Sequence, residues 1–146
     1  MYKHILVPTD GSALAGKAVA HGIALAKATG ARITGITVTE PFHVFAVDPE
    51  MLTDTPARYA AHARAFAEKT LAGLTQAAQA AGVPSQTVIV EHEHPYQAII
   101  DVAAAQGCDL IVMGSHGRRG VSAIVLGSQT VKLLTHSKTP VLVYRD

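Results

Sequence analysis

The chain has 146 residues, of which 49% are hydrophobic and 16% are charged. This length and composition suit one globular domain with a sizeable core and exclude an intrinsically disordered chain. The formal net charge is +1 and tryptophan is absent, so nothing points to a nucleic-acid or membrane surface. We expect a single domain over residues 1–146, with no nucleic-acid or membrane partner.

The cysteine content and the first residues indicate the cellular compartment. Cys108 is the only cysteine, which excludes a disulfide within one chain and favours a reducing environment. The amino terminus lacks the apolar region and cleavage site of a signal peptide, and no apolar stretch reaches membrane-spanning length. We therefore expect a cytoplasmic protein in which Cys108 is a small apolar filler rather than a redox group.

The first part of the chain predicts a strand, a helix and a second strand. The apolar run His4–Val7 ends at Pro8, as expected of a strand buried on both faces. Ser12 can cap the following helix, whose apolar residues repeat at helical spacing as far as Gly30. Ile33–Val38 is rich in β-branched residues and predicts the second strand.

A long loop and further alternating elements follow. Glu40–Pro56 contains several prolines and has no clear period, so it is either a binding loop or an insertion. Ala57–Ala81 has apolar residues at helical spacing and predicts a long helix. Gln86–Val90 predicts the third strand, and Pro95 opens the next helix. Leu110–Met113 predicts the fourth strand.

The last part of the chain predicts a glycine-rich loop, a helix and a final strand. These cover Gly114–Gly127, Ser128–His136 and Pro140–Tyr144. Strands thus alternate with helices throughout, which predicts an α/β fold with one parallel sheet covered by helices on both faces, a three-layer sandwich. Ligands of such sheets bind beyond the carboxyl ends of the strands, where the strand order reverses.

Two loops at that edge have unusual sequences. One is Pro8–Ser12, and the other runs from Gly114 to the helix start at Gly127 and Ser128. Glycines allow close approach of the backbone to a ligand, and free N–H groups at a helix start favour phosphate. The spacing alone also fits a flexible connector before an ordinary helix. Neither a Walker-type P-loop nor a dinucleotide-binding G-x-G-x-x-G is present.

The second loop resembles a known nucleotide-binding motif. The pattern Gly114-x2-Gly117-x9-Gly127-Ser128 is similar to that of the ATP-binding universal stress proteins. The segments Asp109–Arg118, Pro8–Ser12 and Thr139–Val143 resemble the same family, and the resemblance covers essentially the whole chain. It implies a Rossmann-like sheet of strand order 3-2-1-4-5, ATP between the first and fourth strands, and frequent dimers.

The resemblance also implies roles for individual residues. Asp10 would lie at the adenosine end or reach a phosphate-bound Mg²⁺, and Val38 would meet the adenine. Met113 and Gly114 would pass near the ribose. The phosphates would be held by Gly117, Gly127, Ser128 and Thr130. The full set of candidate ATP-binding residues is Pro8, Thr9, Asp10, Val38, Met113, Gly114, His116, Gly117, Gly127, Ser128, Gln129 and Thr130.

Two positions depart from the family pattern. Gln129 replaces a small apolar residue, which would either crowd the pocket or add a hydrogen bond. His92–His94 stands where the family often has a glycine. Together with Glu91 these histidines invite a metal interpretation, but no second group of ligands is identifiable, so a solvated strand end is the simpler one.

The candidate site favours binding over catalysis. Asp10 is the only acidic residue of the two loops, and no nucleophile–base pair is evident in the sequence. A response-regulator receiver site at Asp10 would need further acids that are missing. We therefore expect a nucleotide-dependent stress-response or signalling module. The alternatives are a slow ATPase or autophosphorylating protein, and a dimeric interaction protein that binds no nucleotide. The apolar last strand, Val141–Val143, is the predicted homodimer contact.

Overall fold

The computed structural model describes residues 1–42, 55–116 and 126–145. Strands and helices alternate within these ranges, and each expected element is present with small shifts at its ends. They are β1 (His4–Pro8), α1 (Ala13–Thr29), β2 (Arg32–Thr39), α2 (Pro56–Ala81), β3 (Ser85–Glu91), α3 (Pro95–Gln106), β4 (Leu110–Gly114), α4 (Ser128–His136) and β5 (Val141–Tyr144). Most of the Glu40–Pro56 loop lies outside the described residues, so neither interpretation of it is tested.

The strands form one parallel sheet of order β3-β2-β1-β4-β5, which confirms the expected topology. In the middle of the sheet, Ile5 of β1 is in register with Ile33 of β2 on one side and with Leu110 of β4 on the other. The chain therefore places β2 on one side of β1 and later, after α3, places β4 on the other side. This reversal puts the topological switch point at the carboxyl ends of β1 and β4.

The central strands are apolar on both sides because helices cover both faces of the sheet. Ile5, Leu6 and Val7 are each 0% exposed. Ile5 and Val7 face the layer of α1 and α2, whereas Leu6 faces the layer of α3 and α4. The three layers expected from the sequence are thus built from two separate apolar clusters. The first includes Val19, Ile23, Leu74, Ala78 and Val112, and the second includes Ile36, Ile99, Ile111, Met113 and Leu133.

Local signals in the sequence set the ends of the helices. The Ser12 hydroxyl accepts a hydrogen bond from the Ala15 amide at 3.2 Å and caps α1 as expected. The Thr55 hydroxyl does the same for α2 through the Arg58 amide. By contrast, the His94 side chain makes no capping hydrogen bond to α3, and Gly127, the N-cap residue of α4, has no side chain that could cap that helix.

A polar cluster lies at the amino ends of the strands, opposite the switch point. The His4 side chain is 3% exposed, with Nδ1 3.1 Å from the Gln106 carbonyl oxygen and Nε2 2.7 Å from the Thr34 hydroxyl. Because a carbonyl only accepts, Nδ1 carries the proton. The Thr34 hydroxyl also lies 3.0 Å from the Gln106 side-chain oxygen, so its single proton is shared between that oxygen and His4 Nε2. The side chain of Gln86 donates to the Thr34 hydroxyl at 3.0 Å. This cluster ties β1, β2, β3 and α3 together.

Cys108 and Asp109 lie beside the polar cluster, just before β4. Burial, with a smaller contribution from the Asp109 carboxylate, raises the pKa of the Cys108 thiol to about 11. The thiol therefore stays protonated near neutral pH, as expected of an apolar filler. The Asp109 carboxylate accepts hydrogen bonds from the Lys3 and His4 amides at 2.9 and 3.1 Å.

Candidate functional site

The loop after β1 is folded by hydrogen bonds within itself and from β2. The Thr9 amide donates to the Ile36 carbonyl at 2.9 Å, and the Thr37 hydroxyl donates to the Thr9 carbonyl at 2.9 Å. The Asp10 carboxylate then accepts from the Ser12 amide at 3.0 Å, which makes an Asx turn into α1. Pro8, Thr9 and Asp10 are therefore held at the carboxyl edge of the sheet, where the sequence placed them.

Gly11 is required in this loop by its conformation and by its neighbours. Its φ is +82°, in the left-handed region that side chains other than glycine rarely adopt. A Cβ at this position would lie 3.0 Å from both Phe66 Cζ and Thr70 Oγ1 of α2. Helix α2 thus packs directly against the loop that carries Asp10.

The end of β4 and the start of α4 are joined to each other directly. The Gly127 amide donates to the Ser115 carbonyl at 2.7 Å, and the Thr130 hydroxyl donates to the Gly114 carbonyl at 3.2 Å. A Cβ on Gly127 would lie 3.1 Å from His116 Cα, so glycine permits this close approach of two backbone segments. The chain leaves β4 and returns to the same place at α4.

This geometry gives Gly127 and Thr130 structural roles. Gly127 has an ordinary φ of −61°, and what requires glycine there is the nearness of His116. Thr130 is 2% exposed, and its hydroxyl donates to the Gly114 carbonyl. Ser128, in contrast, is exposed at the first position of α4. The amide groups of this first turn have no partner within a helix and make its amino end suited to an anion.

The structure brings most of the candidate residues to one edge of the sheet. Met113 and Val38 belong to the apolar cluster beneath α3 and α4 and approach this edge from β4 and β2. His116 follows β4, with Nδ1 3.3 Å from the Ser115 hydroxyl. Gln129 lies in the first turn of α4, and its side-chain oxygen accepts from the Tyr96 amide of α3 at 2.9 Å. Gly117 lies outside the described residues.

Sequence reasoning missed several residues that shape this edge. Ser115 is 1% exposed. Its amide donates to the Tyr144 carbonyl at 2.9 Å, and its carbonyl accepts a hydrogen bond from the Gly127 amide. Phe66, Thr70 and Thr37 support the loop after β1. Their roles depend on contacts between distant parts of the chain. The one local signal was an aromatic residue, Phe66, in an alanine-rich helix.

The described part of the chain contains neither a metal-binding cluster nor a membrane-spanning helix. Among residues 1–42, 55–116 and 126–145, histidine, cysteine, aspartate and glutamate form no group of three or more able to hold a metal ion. The His92 and His94 rings are 6.0 Å apart, and the His92 Nδ1 atom accepts from the His94 amide. In the same ranges, no helix has the length and hydrophobicity needed to cross a membrane.

Comparison with known proteins assigns the family. The model of the universal stress protein family matches residues 1–145. The chain belongs to this family. A universal stress protein of Thermus aquaticus is 34% identical over 145 residues, which covers 99% of this chain and all of that protein.

Solved structures of family members and relatives have the same fold. The MJ0577 protein, named in Methanocaldococcus jannaschii as a universal stress protein, superposes with a TM-score of 0.83 at 27% identity, over 100% of this chain and 97% of that one. A universal stress protein in complex with cAMP gives a TM-score of 0.72 at 27% identity, over 99% of this chain and 97% of that one. The Rossmann-like architecture expected from the sequence is therefore confirmed.

Proposed function

We propose that this protein is a nucleotide-dependent stress-response or signalling module that binds ATP, with Mg²⁺, between the carboxyl ends of β1 and β4. The observation that carries the proposal is the direct junction between Ser115 and Gly127. It sets the amino end of α4 at the switch point of the sheet. A family relative of the same fold, crystallised with cAMP, supports an adenine nucleotide as the ligand.

The residues at this edge fit a nucleotide in chemical type. Apolar side chains of Val38 and Met113 suit the adenine and ribose, and the uncapped first turn of α4 with the exposed Ser128 suits phosphates. Asp10 supplies the carboxylate that a phosphate-bound Mg²⁺ would use. Gly127 and Thr130 contribute by holding α4 against β4. Gly117 completes the motif in the part of the chain that the structure does not describe.

The binding test is calorimetry with ATP and Mg²⁺ on the wild type and two matched variants. Ser128→Ala removes a hydroxyl at the proposed phosphate end of α4 and should weaken ATP binding by about 0.5–1.5 kcal/mol. Thr135→Ala removes an exposed hydroxyl in the last turn of the same helix and should leave the affinity unchanged. Absence of heat and of retained nucleotide at protein concentrations of about 10⁻⁴ M would contradict the proposal.

We propose that the bound ATP is held rather than rapidly hydrolysed. Hydrolysis requires an oriented water and a held metal, and Asp10 is the only acidic residue in the two loops. Ser115 does contact His116 as a nucleophile would contact a base, but its side chain is 1% exposed. We predict turnover well below about one per second, the low end of ordinary enzymes. A phosphate-release assay on purified protein checks this, and faster cleavage would favour an ATPase.

A further inference from the structure

The first turn of α3 is capped by a residue of α4. Helix α3 begins at Pro95, and its N-cap residue, His94, gives no side-chain hydrogen bond. The amide of the next residue, Tyr96, instead donates to the Gln129 side-chain oxygen at 2.9 Å. Gln129 is one residue beyond Ser128, so this bond connects α3 to the proposed phosphate end of α4. It also satisfies an amide that a helix start leaves without an internal partner.

The Tyr96 ring contacts two further residues of α4. The Lys132 ammonium nitrogen lies 5.7 Å from the ring centroid, within cation–π range. The His136 ring stacks on Tyr96 with centroids 5.5 Å apart and planes 30° apart. Gln129, Lys132 and His136 are spaced by three and four residues, so they lie on one face of α4. We call these three residues and Tyr96 the Tyr96 clasp.

We propose that the Tyr96 clasp positions the amino end of α4 for nucleotide binding, with Gln129 acting on Tyr96 and not as a ligand of phosphate. The inference rests on the proposed function and adds positioning residues to that site. Gly127 and Thr130 attach α4 to β4 on one side, and the clasp attaches it to α3 on the other. It also explains the glutamine at a position where the family pattern has a small apolar residue, because its oxygen supplies the cap that α3 lacks.

His136 gives the clearest separation of positioning from direct contact. It is the last residue of α4, about 12 Å along the helix from Ser128 at 1.5 Å per residue, so it cannot touch a phosphate held at the other end. His136→Ala removes the stacked ring and should weaken ATP binding about two- to tenfold, because α4 is less firmly oriented. His136→Phe keeps a ring against Tyr96 and should restore most of the affinity.

Calorimetry on folded variants provides this comparison. Thr135→Ala, a neighbouring exposed substitution, should bind ATP as the wild type does. A His136→Ala protein with a lower melting temperature but unchanged ATP affinity would show a purely structural contact and overturn the positioning role. Failure of His136→Phe to restore the affinity lost in His136→Ala would overturn it as well.

Amide hydrogen exchange tests the clasp without any nucleotide. Gln129→Met keeps the length of the side chain but has no oxygen acceptor, so the Tyr96 amide should exchange about two- to tenfold faster. Gln129→Glu keeps an acceptor and should slow the exchange again. If the wild type binds no ATP, the proposed function fails while this experiment still reports on the clasp. Unchanged exchange at Tyr96 in Gln129→Met would contradict the clasp itself.

Discussion

Gly11 is a single residue that controls the conformation of the loop that carries Asp10. Its φ of +82° costs other residues about 1–2 kcal/mol, and an added Cβ would lie 3.0 Å from Phe66 and Thr70. Gly11→Ala should therefore lower the free energy of unfolding by at least about 1 kcal/mol and weaken ATP binding, because Asp10 moves with the loop. Denaturant titration and calorimetry on the same preparation measure the two effects.

A matched substitution within α1 controls for the added methyl group. Gly16 is exposed in the helix, and a Cβ there would meet nothing within 4 Å. Gly16→Ala should raise the free energy of unfolding by about 0.5–1 kcal/mol, because glycine is a poor helix residue. A Gly11→Ala protein as stable as Gly16→Ala would show that the loop tolerates a side chain and would contradict the geometry.

His4 should make the stability of the protein depend on pH. Burial, followed by the nearby Arg32 guanidinium, lowers the pKa of His4, while the Gln106 carbonyl and Asp109 act in the opposite direction. The unfolded chain therefore binds the proton more tightly than the folded one. The stability that neutral His4 contributes is complete above the unfolded value of 6.5 and is lost as the pH falls below it.

Denaturant titrations between pH 7.5 and 5 measure this dependence. The free energy of unfolding of the wild type should fall with the pH, and His4→Gln should flatten that fall because it removes the titrating ring. Equal pH dependence in the wild type and His4→Gln would assign the effect to other groups.

Between elements, the Thr130 hydroxyl links α4 to β4 through the Gly114 carbonyl. Thr130→Val keeps the shape of the side chain but leaves the Gly114 carbonyl without this donor in a buried place. An unmet buried acceptor costs about 1–3 kcal/mol, so the free energy of unfolding should fall by that amount. ATP affinity should also fall, because the amino end of α4 is freer to move. Thr130→Ser, which keeps the hydroxyl, should retain both better than Thr130→Val.

The elements were predictable because each is encoded locally. Apolar runs such as Leu110–Met113 mark strands buried on both faces, and Ser12 and Gly30 mark the ends of α1. The strand order came from the family resemblance, since the alternation of elements alone permits other orders. The contact of Gln129 with Tyr96 could not be read from the sequence, because it joins residues on two different helices.

Contacts between residues distant in sequence also explain why the candidate site could be predicted only in part. Glycine spacing singled out the loop that follows β4, and ligand binding by that loop stays a prediction. The reason for the glycine at 127 is the backbone of His116, a neighbour that spacing does not reveal. Gly127→Val should consequently lower the stability as well as the affinity. For this reason Ser128, exposed at the helix start, separates binding from folding better than Gly127 does.

In the molecule as a whole, a polar side-chain cluster lies at one end of the sheet and the candidate site lies at the other. The polar cluster of His4, Thr34, Gln86 and Gln106 joins the strands at their amino ends, where side chains hold one another. At the carboxyl ends, backbone and side-chain hydrogen bonds hold the loops, and Ser128 is exposed beside them. The polar cluster and the proposed ligand site therefore lie at opposite edges of the sheet. Protonation of His4 should accordingly change the free energy of unfolding more than it changes the ATP affinity.

The edge strand β5 is the proposed contact between two copies of the chain. Leu142 of β5 is 43% exposed, on the face of the sheet that α1 covers. Val131 and Leu134 of α4, which covers the other face, are 45% and 44% exposed. An exposed apolar edge favours pairing with another strand, and a two-fold axis lets β5 pair with itself. We predict a homodimer at micromolar concentration. Light scattering should report twice the chain mass of 15.2 kDa.

Opposite edge strands of the sheet provide a matched test of that dimer. Leu142→Lys places a charge in the proposed interface and should shift the protein to monomer, because two copies would face each other with like charges. Thr87→Lys places the same charge on an exposed position of β3, the other edge, and should leave the dimer intact. A wild type that is monomeric at micromolar concentration would remove the dimer. Dissociation by Thr87→Lys, with Leu142→Lys still dimeric, would move the contact to β3.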